Sequence, residues 1–247
     1  MPIDKKINLF PIKKNNYLKI TDKESLEKSY QLIWKATEVM VAEGKAPKSS
    51  PNFQHHAVPL ICNISELDIS ILKKIVDVKY HLKKSFKNIS FVPDNIFHLS
   101  IFIVIYDIPL NEYNPKKHDI NNKIIAEIEE ILKNTKPIEI DFSGVNLGPD
   151  GGSFIEGHVK NDEIFNVRKK LENNFPNKKR RTPLVHISLG RIVENISKEE
   201  FAHLYNEIKK MRKLKFGITT IKNCRLVTVK DRFGYERDKK EFLLDSN

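Results

Sequence analysis

The sequence predicts an α+β fold with two pseudo-symmetric halves, each ordered strand, helix, strand, helix, strand, and mainly antiparallel sheets lining a central cleft. Three observations carry this. Strand-period and helix-period apolar patterns alternate from His56 onward. The same order of elements occurs twice. The middle strand of each half carries a histidine in a matching frame, Phe97-His98-Leu99-Ser100-Ile101 and Val185-His186-Ile187-Ser188-Leu189, 88 positions apart.

The first 54 residues stand outside the repeat as a helical extension and loop. Thr21 with Glu24 is a capping-box pattern opening a helix to about Glu43, with Leu26, Tyr30, Ile33 and Trp34 as its apolar face. A loop, Gly44–Phe53, follows. This segment is expected to pack against the core rather than to gate the cleft. Residues 55–247 form the main domain, with lobes at approximately 55–146 and 147–247.

The first copy opens with the apolar strand His56–Ile64. A helix over about Leu67–Phe86 places Ile71, Ile75, Val78 and Leu82 on one face. The strand Phe97–Tyr106 carries His98. A second helix, about Ile120–Lys133, buries Ile124, Ile128 and Ile131, and the strand Ile138–Val145 closes the copy.

The turn Gly148-Pro149-Asp150-Gly151-Gly152 leads into the second copy. It comprises the strand Ser153–Lys160, a helix over Asp162–Phe175, and the strand Val185–Val193 with His186. A helix capped by Ser197 and Glu200 follows. Two last strands, Ile218–Val229 and Tyr235–Leu244, read as a hairpin around Asp231–Gly234.

The chain has 247 residues and a net charge of +11, which points to a polyanionic partner. That charge is discounted, because 35 of the 43 basic residues are Lys in a chain also rich in Asn and Ile. More specific is Lys178-Lys179-Arg180-Arg181, which sits just before His186 and places Lys179 and Arg181 near the cleft mouth. No apolar run approaches the roughly 20 residues of a membrane span. No signal-like apolar region follows Met1, so a cytoplasmic protein is expected, or a nuclear one in a eukaryote. Cys62 and Cys224 fit no metal spacing and read as reduced thiols in or near the core.

The two histidine runs carry the chemistry. Alternate side chains of a strand share a face, so each run buries its apolar residues and presents His and Ser together on the other side. None of the other six histidines has Ser or Thr two residues on. Imidazole titrates near neutrality, so one ring can be neutral while its partner is protonated. A neutral His takes a proton from water or a ribose hydroxyl, and a protonated one donates to the leaving oxygen of a phosphodiester. Ser100 and Ser188 would donate to the non-bridging phosphate oxygens. No metal and no cofactor are expected, and the Walker A, H-E-x-x-H and EF-hand patterns are missing.

With its two apolar-flanked H-x-S motifs, the chain resembles the two-histidine phosphoesterase superfamily. Pro183-Leu184-Val185-His186-Ile187-Ser188-Leu189-Gly190-Arg191 is similar to the second motif of the LigT-like RNA cyclic phosphodiesterases, including the Arg that often follows. Phe97-His98-Leu99-Ser100 is similar to the first motif of the snRNA 3′-end trimming exonucleases. The resemblance covers about residues 55–245. It departs in the first motif, which lacks the usual Phe and Gly continuation, and in the additional N-terminal segment. It implies two pseudo-symmetric lobes, His98 and His186 as the acid–base pair, and Ser100 and Ser188 as phosphate donors.

Further candidates to contact substrate come from position. Arg191 lies five residues after His186, which turns it away from the cleft unless a bulge at Gly190 re-aims it. His158 would line the cleft from the neighbouring strand. Phe233 and Tyr235 could stack on a base. The sequence thus points to a metal-independent phosphodiesterase acting on RNA ends, as a monomer without membrane attachment. The alternatives are a small cyclic-nucleotide or ADP-ribose cyclic-phosphate phosphodiesterase and a vestigial RNA-binding module.

Overall fold

The computed structural model describes residues 20–49, 55–64, 68–114, 120–175, 184–229 and 235–244. Helix α1 (Lys23–Ala42) precedes strand β1 (His55–Asn63), and α2 (Ile69–Ser85) leads to β2 (Ile89–Phe91) and β3 (His98–Pro109). Next come α3 (Asn122–Lys133), β4 (Ile138–Leu147), β5 (Gly152–Val159), α4 (Glu163–Asn174), β6 (His186–Ile192) and α5 (Lys198–Lys210). Strands β7 (Lys215–Ile221), β8 (Asn223–Val229) and β9 (Tyr235–Leu243) complete the order. The α+β class and the repeated order are those expected, with β2 as an additional short strand.

Among the described residues, nine strands join one antiparallel sheet in the order β7-β4-β5-β6-β3-β1-β8-β9, with β2 on β6. The two histidine strands, β3 and β6, are neighbours at its centre. On either side the sheet interleaves the copies. β4, which ends the first copy in sequence, pairs with β5 and β7 beside β6, whereas β8 pairs with β1 beside β3. A division at residue 146 therefore divides the chain but not the sheet.

Two local expectations are corrected. The run read as one strand over Ile218–Val229 breaks at Lys222, and its two parts pair in opposite halves of the sheet. The buried set changes phase across the break, from Thr219 and Ile221 to Cys224 and Leu226, which one continuous strand would not do. The cap of α1 is Asp22 with Ser25, one residue beyond the Thr21–Glu24 reading: the Asp22 carboxylate accepts from the Ser25 N–H at 2.8 Å. Asp outcompetes Thr as a cap because a charged oxygen faces the helix dipole. The Ser197–Glu200 box forms as read, with both hydrogen bonds present. Cys62 and Cys224 are buried and form no disulfide. Among the described residues, no helix is long and apolar enough to cross a membrane.

The core places Leu99, Ile101, Ile155, Ile187 and Leu189 at full burial on the sheet face opposite the histidines. Removing such side chains from water contributes about 1.5–3 kcal/mol each, which fixes the strand register.

Candidate active site

β3 and β6 share one ladder pair, Leu99 with Ile187. Both are fully buried, so their neighbours along the strands face the other way. The antiparallel register then sets His98 beside Ser188 and Ser100 beside His186, all four half-buried on the cleft face.

The two histidines are oriented by the same device. His98 donates its Nδ1–H to the carbonyl of Ile96 at 2.8 Å, and His186 donates to that of Leu184 at 3.1 Å. A carbonyl only accepts, so Nδ1 carries the hydrogen in both rings and the neutral rings present Nε2 as an acceptor. Ser188 Oγ lies 3.2 Å from His186 Nε2, and the hydroxyl donates there. The Phe154 ring stands edge-on to His186 at 5.2 Å between centroids.

Burial pushes the His98 imidazolium below its ordinary range. It pushes His186 further, to about 4, with His98, Arg168 and Arg191 adding repulsion. The two rings stand diagonally across the Leu99–Ile187 rung.

The supports of each histidine come from elements the motif does not contain. Buried Lys79 of α2 donates to Val92 O at 3.0 Å and pairs with Asp94, which holds the turn Asp94–Ile96 that orients His98. Tyr30 of α1 donates its buried hydroxyl to Val185 O, immediately before His186. Asn63 is the cross-strand partner of His98, and Glu156 that of His186. Glu156 is fixed by Arg212 at 2.6 Å and Asn146 at 2.5 Å.

Phe154 and Glu156 share the His186 face through their pairing with Ser188 and His186, and His158 follows by alternation. Tyr30 packs its ring on Phe154 and His158, and Glu27 pairs with His158 Nδ1 at 2.7 Å. Helix α1 therefore lies across the cleft face of β4 and β5, as a packed wall next to His186. His158 is tied to α1 in that wall, and Glu27 holds its imidazolium above the ordinary range.

Arg191 is turned toward the cleft. Leu189 is the extra residue in a register shift between Phe154–Ser188 and Ser153–Gly190, so Arg191 pairs with Gly152 on the histidine face. Its guanidinium lies over Gly152, where a Cβ would come within 3.1 Å of Nη2, and it pairs with Asp150 at 2.7 Å. Burial alone would raise the Asp150 carboxyl, and Arg191 overcomes this and holds it below its usual value. The same shift follows the first motif, where Ile101 is the extra residue between Ile61–Ser100 and Leu60–Phe102. Lys179, Arg181 and Phe233 lie outside the described residues, as does the side chain of Tyr235.

Sequence reasoning missed Asn63, Glu156, Tyr30, Lys79, Arg168 and Arg225. Arg225 reaches the cleft face because it pairs with Ile61, the partner of Ser100. None of these stands in a motif, and each owes its place to strand pairing or helix packing. Among the described residues, no group of three or more His, Cys, Asp or Glu is placed to hold a metal ion.

This arrangement defines a two-lobed α+β protein with a paired His-x-Ser floor, and solved structures share its architecture. No family model and no curated protein sequence matches the chain. TT0787 of Thermus thermophilus superposes with a TM-score of 0.54 at 14% identity, over 77% of this chain and all of that one. E. coli LigT in apo form gives 0.50 at 12% identity, over 80% of this chain and all of that one. E. coli LigT complexed with 3′-AMP gives 0.50 at 9% identity, over 77% of this chain and 98% of that one. The chain has the LigT-like fold.

Proposed function

We propose that the protein is a phosphodiesterase that opens 2′,3′-cyclic phosphates, or cleaves related 2′–5′ or 3′–5′ linkages, at RNA ends. The observation that carries this reading is the single Leu99–Ile187 rung, which sets two imidazoles and two hydroxyls on one face. His186, the more strongly biased to neutrality, serves as base: its Nε2 takes a proton from water as the water oxygen attacks phosphorus. His98, protonated, gives its Nε2 proton to the 2′ or 3′ oxygen as that P–O bond breaks, leaving a monoester. One water is consumed, and the two rings exchange protonation states until solvent restores them. Ser100 and Ser188 hold the phosphate oxygens, where negative charge grows in the transition state, and Arg191 anchors the phosphate equally in the bound and transition states. No step is routed through a metal or a cofactor.

The E. coli LigT structures complexed with 3′-AMP, ATP and NADP+ support a nucleotide phosphate as the ligand class. A second reading, a small cyclic-nucleotide or ADP-ribose cyclic-phosphate phosphodiesterase, is favoured by one observation: α1 occupies the face beside His186 that a long strand would otherwise use.

The test is a screen of purified full chain, wild type and His98→Ala, against RNA ending in 2′,3′-cyclic phosphate, 2′–5′ oligomers, 3′-tailed RNA and small cyclic nucleotides. Turnover of an RNA end by wild type alone is the expected result. Turnover of the small cyclic phosphates only would favour the second reading. Equal turnover by both proteins would overturn both.

A further inference from the structure

The reaction just described leaves one charged group behind the site without a role. Arg168 projects from α4 and is 4% exposed. Its Nε donates to the carbonyl of Ile101 at 2.8 Å and its Nη2 to that of Ser100 at 3.2 Å. Nη1 is buried and, among the described residues, has no partner. A buried guanidinium bonded to neutral carbonyls forgoes most of its hydration, which disfavours the charged form. Apolar packing would avoid that cost, so the cation calls for an explanation.

The backbone gives one. Successive carbonyls of a regular strand point in opposite directions, yet these two accept from one guanidinium fork. Ile101 is the extra residue of the register shift after the first motif, and such a residue turns two neighbouring carbonyls the same way. The ladder between β3 and β6 is confined to Leu99–Ile187, and Arg168 receives both carbonyls instead. After the second motif the extra residue is Leu189, and its carbonyl accepts the backbone N–H of Val92 at 2.9 Å. One half thus closes its bulge with backbone, and the other with a buried cation.

We propose that Arg168 is a positioning residue of the two-histidine site: it clamps the bulge behind Ser100, fixes that hydroxyl beside His186, and sets a permanent positive charge next to the second ring. The proposal rests on the phosphodiesterase reading for its kinetic consequence only. Tyr30 and Glu172 act on the Arg168 charge, and His98, Arg168 and Arg191 act on His186, whose cross-strand partner is Glu156.

The test compares wild type, Arg168→Gln and Arg168→Lys as full chains. Histidine ring resonances are titrated by NMR without ligand, and turnover is measured on a dinucleotide ending in 2′,3′-cyclic phosphate. In Arg168→Gln the midpoint of His186 is expected to rise by about half a pH unit or more, since a repelling charge is gone. In Arg168→Lys, which keeps the charge and loses the fork, that midpoint stays near wild type. Misplacing Ser100 is expected to lower kcat about 10²-fold in Arg168→Gln and about tenfold in Arg168→Lys, with KM within about threefold.

A folded Arg168→Gln with a wild-type His186 midpoint and kcat within about twofold of wild type would overturn the proposal. If Arg168→Gln fails to fold, as thermal melts would reveal, Arg168→Lys decides, and kcat within about twofold of wild type overturns the clamp. If wild type turns over no phosphodiester, the functional reading fails while the titration still decides whether Arg168 acts on His186.

Discussion

Leu99 lies directly across from Ile187, and this one rung joins the two halves of the site. Each residue is fully buried, so the histidine and serine on either side of it are turned together into the cleft. The hydrophobic effect thereby orients four polar groups on the opposite face of the two strands.

The first prediction concerns those four groups. His98→Ala and His186→Ala are each expected to lower turnover by about 10² to 10⁴. Ser100→Ala and Ser188→Ala should cost up to about 10² to 10³, as for the loss of one donor to a developing oxyanion. Single-turnover rates on a cyclic-phosphate dinucleotide check this, and a serine variant faster than wild type would remove the hydroxyls from the mechanism.

The second is the pH profile. The base must be neutral and the acid protonated, and both imidazoles are held below their ordinary 6.5, His186 at about 4. A profile of kcat/KM against pH should therefore be a bell whose two limbs lie on the acid side of neutrality. The acid limb is expected near pH 4 from His186. A bound phosphate dianion or monoanion favours the protonated ring, so the falling limb of kcat should move to higher pH. A profile flat between pH 4 and 8 would contradict the pair as acid and base.

The third joins stability to α1. Glu27 raises His158 above 6.5, so folding favours the protonated ring. That contribution is complete below the unfolded value of about 6.5 and fades as pH rises through the folded one. His186 behaves oppositely: the unfolded chain binds its proton first, so stability falls as pH drops from 6.5 toward about 4. Glu27→Gln should lower Tm at pH 6 more than at pH 9, measured by differential scanning calorimetry. Equal shifts at both pH values would show that the pair contributes nothing through charge.

The fourth concerns Arg191. Since the bulge at Leu189 brings its guanidinium to the cleft face beside Asp150, Arg191→Met should raise KM about tenfold with kcat little changed, a loss of about 1.4 kcal/mol of uniform binding. Asp150→Asn keeps the side-chain shape and should change KM far less. An unchanged KM in Arg191→Met would return that residue to a structural role.

Much of the fold was legible because burial imposes period. Ile71, Ile75 and Leu82 recur at helical spacing, and α2 buries them. The histidine frames recur at strand spacing, and β3 and β6 bury their apolar members. Ser197 and Glu200 are local in sequence, and their capping bonds are local in space. The Thr21 reading missed by one residue because two adjacent oxygens competed for one helix end, and the carboxylate prevailed.

What local pattern could not supply were relations between strands distant in the chain. Arg191 is the plainest case: counting by two from His186 sends it away from the cleft, and one unpaired residue, Leu189, reverses that count. Lys79, Tyr30 and Arg168 look like ordinary members of helices, yet each reaches a backbone carbonyl within a few residues of a motif.

The amino-acid order alone determined which residues could do acid–base chemistry, because residue type fixes a proton affinity and strand alternation fixes which neighbours share a side. Tertiary structure decided that the two motifs meet at one rung, that β4 and β8 cross between the halves, and that a helix from the first 54 residues walls the cleft. Those outcomes depend on hydrogen-bond register and on which apolar faces find each other across distant parts of the chain, and neither is written in any short stretch of it.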